Sequence, residues 1–127
     1  TIEAARRDGY VQTLMGRKRY VPDVRSSNRT IREAAERAAV NMPIQGAAAD
    51  IMKLAMIAVQ RRLAQDGERW RMLLQVHDEL LFAVPEGSEV GAARVIGECM
   101  ERAYELRVPL AVDAKSGPNW AEMSPVA

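Results

Sequence analysis

Two carboxylates stand side by side at Asp78-Glu79, between the apolar runs Met72-Leu73-Leu74-Gln75-Val76-His77 and Leu80-Leu81-Phe82-Ala83-Val84. Runs of this kind predict the strands of a hairpin, with the acidic pair at its tight turn. Adjacent negative charges in a tight turn are unfavourable unless a cation or solvent screens them. Carboxylate oxygens are hard ligands, and Mg²⁺ binds through one or two of them together with substrate phosphates. Neighbouring strand residues point to opposite faces, so one carboxylate is expected to be the ligand and the other its support. Asp-Glu is equally the composition of a solvated turn, and the pair alone does not decide between the two.

The elements that must position this turn can be read on either side of it. Thr1–Asp8 reads as helix already under way, stopped by Gly9, and the absence of an initiator methionine suggests a segment of something longer. Tyr10–Leu14 and Arg19–Val21 are β-rich and flank Met15-Gly16-Arg17-Lys18, which predicts a basic-tipped hairpin closed by Pro22-Asp23 and followed by a loop over 24–29. Thr30 and Glu33 have capping-box spacing and open a helix that Pro43 should break. A second helix is expected over 44–65. Its stretch Ile51–Val59 is apolar nearly all round, which predicts a buried central helix, with Asp50 and Lys53 structural. After the acidic hairpin, Ser88 should cap a helix to about Leu106 with Ala93, Ile96, Met100 and Ala103 on one face, and Leu110–Ala114 should be an edge strand. The pattern is α+β: a small antiparallel sheet with helices packed on one face.

Bulk properties exclude several classes. With 48% hydrophobic and 28% charged residues the chain is neither disordered nor disulfide-framed. The lone Cys99, among apolar helix residues, is expected in the core; one cysteine and one histidine permit neither an internal disulfide nor the usual four-ligand zinc site. No apolar run approaches a membrane span, and no cationic-then-apolar leader opens the chain, so a cytoplasmic location is the default. Net charge is +1, but residues 1–40 carry nine Arg/Lys against five Asp/Glu and residues 81–127 four against seven. A positive front and negative back suit a surface that meets phosphate at one end. P-loop, Rossmann, HExxH and GxSxG signatures are missing, as is the aromatic platform of single-strand binders.

Four segments in order carry a family resemblance. Val76-His77-Asp78-Glu79 in its strand–turn–strand setting resembles the third signature motif of the family A DNA polymerases. Asn41-Met42-Pro43-Ile44-Gln45-Gly46-Ala47-Ala48-Ala49-Asp50 resembles the stretch between that family's fingers and this motif. Gly9–Asp23 resembles the segment beyond the nucleotide-binding helix, and Ser116-Gly117-Pro118-Asn119-Trp120 the C-terminal turn. Ser26-Ser27-Asn28 and Arg32–Ala38 fit the bacterial polymerase I branch best.

The resemblance implies a single partial domain over 1–127: residues 1–29 hold the end of a helix, the basic hairpin and a loop, and 30–127 hold palm helices and sheet. It implies a bacterial, cytoplasmic, nucleoid-associated enzyme of replication and repair that transfers nucleotides from dNTPs to the 3′-hydroxyl of a primer–template. Asp78 would be a catalytic ligand of two Mg²⁺ ions and Glu79 its supporting catalytic carboxylate. His77 would contact the primer terminus, Gln45 and Asn41 the minor groove, and Arg37 and Arg19 the DNA backbone. Minor-groove acceptors are nearly alike for all base pairs, so amide donors there can test geometry without choosing a sequence.

Two parts that the resemblance calls for do not occur in the 127 residues: a strand with the second metal-binding aspartate, and a fingers helix that holds the nucleotide. The isolated chain is therefore expected to be catalytically incomplete. It would serve alone as a non-catalytic, sequence-independent DNA-binding module or as an inert folded fragment, and its uncovered surface could drive self-association. Simpler roles stay open for single residues: Asn41 as a helix C-cap, Gln45 capping backbone beside Pro43, Arg37 paired with Glu33, and His77 as a satisfied histidine in a buried strand.

Overall fold

The computed structural model describes residues 1–67 and 69–126, Asp66 by its backbone alone; Glu68 and Ala127 of the expected 1–127 domain lie outside the described residues. The chain divides into two compact units, Thr1–Asp50 and Ile51–Ala127. The class is α+β, with antiparallel pairing distributed over three two-stranded sheets.

In the first unit, α1 (Ile2–Asp8) ends at left-handed Gly9, whose N–H donates to Ala5 O. Strands β1 (Tyr10–Gln12) and β2 (Lys18–Tyr20) pair from Tyr10↔Tyr20 to Gln12↔Lys18, and Gly16 takes the positive φ, 83°, of their turn. The expected loop begins instead as a 3-10 helix, Pro22–Arg25, because Val24 is drawn fully into the core. That core comprises Ala5, Val11, Val21, Val24, Ala39 and Met42.

Helix α2 (Arg29–Asp66) departs from expectation in three ways. Its cap is Asn28, whose Oδ1 accepts from the N–H groups of Thr30 and Ile31, so no Thr30 capping box forms. It runs unbroken through Pro43. An interior proline loses one hydrogen bond and crowds the carbonyl one turn back, at a cost of about 3 kcal/mol. The anchoring of the flanking Ala39, Met42 and Ala47 in buried positions opposes that cost. The apolar stretch is also not buried all round: Ala55, Val59 and Leu63 are, whereas Leu54 and Ile57 are exposed. Burial is complete only along the i, i+4, i+8 stripe, with Ile51, Met52, Met56 and Ala58 half-buried beside it.

Helix α2 is long enough over Arg29–Gln65, and apolar enough in one 18-residue window (mean hydropathy 1.3), to pass for a membrane span, which the residue runs did not anticipate. Its interior nevertheless carries Asp50 and Lys53, and Asp50 is ion-paired with Arg17 of the polar hairpin. Charges at the centre of a helix are costly in a bilayer, which disfavours a span.

In the second unit, β3 (Arg71–Val76) and β4 (Glu79–Ala83) form a hairpin with a bulge between Met72 and Leu74. Val59 and Leu63 pack with Ala92 and Ile96 of α3 (Glu89–Glu101), joined by Trp70, Phe82, Val84, Cys99 and Met100. The buried face of α3 therefore runs through Ala92, not Ala93. The helix also stops short of Leu106: the Arg102 N–H bonds back to Glu98 and that of Ala103 to Met100, tightening the last turn. No strand forms over 110–114. The Val112 N–H is taken by Glu101 Oε1, and pairing starts later, between β5 (Lys115–Ser116) and β6 (Ser124–Pro125). Asn119 bends the chain between them by accepting from the N–H groups of Ala121 and Glu122.

Candidate functional site

Pairing of Val76 with Glu79 leaves His77 and Asp78 as the two residues of the β3–β4 turn. Glu79 is thus the first residue of β4, not a turn residue as the sequence suggested. His77 has φ 53° and is the one non-glycine at positive φ among the described residues. Left-handed backbone at such a residue costs roughly 1–2 kcal/mol and calls for local support. Part of that support is the Gln75 side chain, whose Nε2 donates to His77 O at 3.0 Å. Strand alternation could not have singled out Gln75 from sequence, because His77 lies in the turn beyond β3.

The side chains of His77, Asp78 and Glu79 are all exposed and have no hydrogen bond or ion pair among the described residues. His77 is therefore not a satisfied histidine of a buried strand. The donor chemistry fits a hard cation, since unpaired carboxylates face solvent at a fixed turn. The donor number does not complete a cage: no group of three or more His, Cys, Asp or Glu comes together among the described residues.

In the first unit, the unbroken helix has a direct consequence for three other residues. Arg37, Asn41 and Gln45 follow at intervals of four and form one stripe on α2, about 12 Å from end to end. A break at Pro43 would have separated Gln45 from the other two. All three are exposed, and Arg37 and Asn41 line a shallow depression of about 430 Å³ with Ile2, Glu33, Glu36 and Val40. Asn41 is not a C-cap, because the helix continues for 25 residues beyond it. Gln45 makes no capping bond, and Glu33 is paired with Arg29 rather than Arg37.

Cations of the first unit separate into two groups. Arg6 pairs with Glu36, Arg7 with Asp8, Arg17 with Asp50 and Arg29 with Glu33. Arg25 donates to the last carbonyls of α1, at Arg6 and Arg7, Arg32 donates to Ser26 O, and Lys18 lies 4.4 Å from the Tyr10 ring centroid. Arg19, exposed on β2, and Arg37 alone among these nine have no intramolecular partner in the described residues.

The family model for DNA polymerase family A matches residues 1–122. The chain is 53% identical over 128 residues to DNA polymerase I of Chloroflexus aurantiacus, covering 100% of this chain and 14% of that protein. It is 56% identical over 119 residues to DNA polymerase I of Mycobacterium leprae, covering 94% of this chain and 13% of the relative. It is 52% identical over 120 residues to thermostable DNA polymerase I of Thermus aquaticus, covering 94% and 14% respectively. Among solved structures, the POL domain of Pol1 from M. smegmatis, in complex with DNA primer-template and dNTP, superposes with a TM-score of 0.81 at 56% identity. That match covers 86% of this chain and 19% of the POL domain chain. The chain thus spans about one seventh of the length of the curated relatives it matches.

Proposed function

The chain belongs to DNA polymerase family A, and from that premise we propose that it is the C-terminal part of a polymerase domain, with residues 30–127 in the palm, acting in template-directed transfer of nucleotides from dNTPs to a primer 3′-hydroxyl. The observation that carries this reading is the stripe Arg37–Asn41–Gln45 on one uninterrupted helix face, made of polar side chains with no partner inside the described chain. Most cations of this unit are satisfied locally, whereas these side chains face solvent. A row left free suits a ligand with regularly spaced acceptors. Gln45 and Asn41 would donate to the minor-groove edges near the primer end, where acceptors vary little with sequence. Arg37 and Arg19 would contact phosphates and add affinity that is independent of sequence and falls with salt.

At the hairpin tip, Asp78 would hold metal through its carboxylate, Glu79 would support it from the first position of β4, and His77 would abut the primer terminus. Two Mg²⁺ ions, when bound there, would activate the 3′-hydroxyl and stabilise the leaving pyrophosphate. The further ligands would come from outside the described residues. We place the full-length protein in the bacterial cytoplasm, at the nucleoid, in replication and repair.

The same donor count supports a second reading for the isolated chain. With no three-ligand cluster among the described residues, it would be a weak, sequence-independent duplex binder without catalysis. Incubation of the full-length protein with labelled primer–template, dNTPs and Mg²⁺ tests the main reading. Metal-dependent extension is expected; duplex binding without extension would overturn the main reading, and the same assay on the isolated chain tests the second, which extension there would overturn.

A further inference from the structure

Thr13, Arg17, Gly46 and Asp50 form a contact that the DNA-binding reading leaves unused. Arg17 closes the β1–β2 turn and places its Nε 3.0 Å from Asp50 Oδ1, while its Nη2 donates to Gly46 O at 3.4 Å. Gly46 and Asp50 are one helical turn apart on α2. Asp50 is only 8% exposed, whereas about half of the Arg17 side chain is open to solvent, so the pair is anchored on its acidic side. Under it lies Thr13, 5% exposed, whose Oγ1 accepts from the Arg17 N–H at 3.2 Å. A Cβ at position 46 would stand 2.5 Å from Thr13 Cγ2. A side chain at 46 would therefore force Thr13, and with it the hairpin, to shift. This seat adjoins Gln45 in sequence and lies two residues from Arg19.

We propose that Arg17, Asp50 and Gly46 are positioning residues that clamp the basic hairpin to α2, so that Arg19 and Gln45 meet one DNA duplex in a fixed arrangement. The proposal rests on the polymerase reading above. A direct phosphate contact by Arg17 is the competing use of the same guanidinium, and the sign of one substitution separates the two. Asp50→Asn keeps the shape and the Oδ1 acceptor. It removes the charge and puts an NH2 group in the place of Oδ2, which has no partner among the described residues, so thermal unfolding is followed beside binding. Under the clamp, loosening the pair weakens duplex binding. Under direct contact, an Arg17 released from its counter-charge binds phosphate more tightly.

The test is fluorescence anisotropy of a labelled primer–template with the full-length protein at constant ionic strength, alongside steady-state extension and thermal unfolding. Asp50→Asn and Arg17→Gln should each weaken binding by about tenfold, and the double variant by no more than either single, because the two residues act as one unit. The KM for primer–template should rise with kcat little changed, Arg17→Lys should recover part of the loss, and Gly46→Ala should mimic it. Unchanged or tighter binding by Asp50→Asn, or additive losses in the double variant, would overturn the clamp. Should Asp50→Asn fail to fold, unchanged binding by the half-exposed Arg17→Gln overturns it equally. Absence of duplex binding by the unmodified protein would instead remove the polymerase reading, and the clamp with it.

Discussion

The side-chain amide of Gln75 donates a hydrogen bond to the backbone carbonyl of His77 at 3.0 Å, bracing the one non-glycine residue at positive φ among those described. The braced residue directly precedes Asp78, so backbone strain and the proposed metal-binding carboxylate occupy the same two-residue turn. Strain held at such a place is expected to trade stability for geometry. His77→Gly should therefore stabilise the protein by about 1 kcal/mol in denaturant unfolding while slowing primer extension. Gln75→Ala should also slow extension, with a stability loss of about 0.5–1.5 kcal/mol for the bond removed. Wild-type extension rates in both variants would separate the turn's conformation from the chemistry.

Pro43 lies inside α2 with helix on both sides. Pro43→Ala restores a donor to the helix ladder and removes the ring from the preceding turn, so stability should rise by up to about 3 kcal/mol. Chemical denaturation with a two-state fit measures this. A loss of stability would mean that the proline ring makes packing contacts worth more than the missing hydrogen bond.

The free cations make a prediction about salt. Arg19→Ala and Arg37→Ala should each reduce the slope of log affinity against log salt concentration by about one, uniformly across duplex sequences. Arg7→Ala and Arg29→Ala serve as controls, because those guanidinium groups already pair with Asp8 and Glu33. Equal slope changes in all four would contradict the division between satisfied and free cations.

Glu89 sets a pH dependence of stability. Its own backbone N–H and that of Gly87 hold the carboxyl below its usual value of 4.5, and the Gly87 N–H lies 3.0 Å from Oε1. A depressed folded-state pKa gives stability that is present above the unfolded value and is lost as pH falls through the folded one. The melting temperature of the unmodified protein should thus fall in acid more steeply than that of Glu89→Gln, with the gap closing once pH drops below the folded pKa. Parallel curves for the two proteins would remove Glu89 from the account.

Much of this architecture was legible because it follows from local patterns. Gly9 and Gly16 sit where turns need left-handed backbone, and the two apolar runs around Asp78 pair as strands. Two of the failures share a cause: contacts made elsewhere in the chain overrode a local rule. Pro43 should end a helix, yet buried neighbours on both sides carry α2 through it. Leu110–Ala114 has strand composition, yet the Glu101 side chain occupies the Val112 N–H. Within the site, residue types named Asp78 and Glu79, whereas the family motifs were needed for Arg19, Arg37, Asn41, Gln45 and His77. The positive φ of His77, the Gln75 brace and the Arg17–Asp50 pair are three-dimensional facts with no signature of their own in the residue order.

In the active site proposed above, Asp78 would hold catalytic metal. The most direct test compares metal-dependent primer extension and primer–template affinity for the full-length protein and its Asp78→Ala variant. Extension is expected to fall on the order of a thousandfold or more while duplex affinity largely persists, because the role proposed for Asp78 lies in the reaction and not in the grip on DNA. Full extension activity in Asp78→Ala would contradict it.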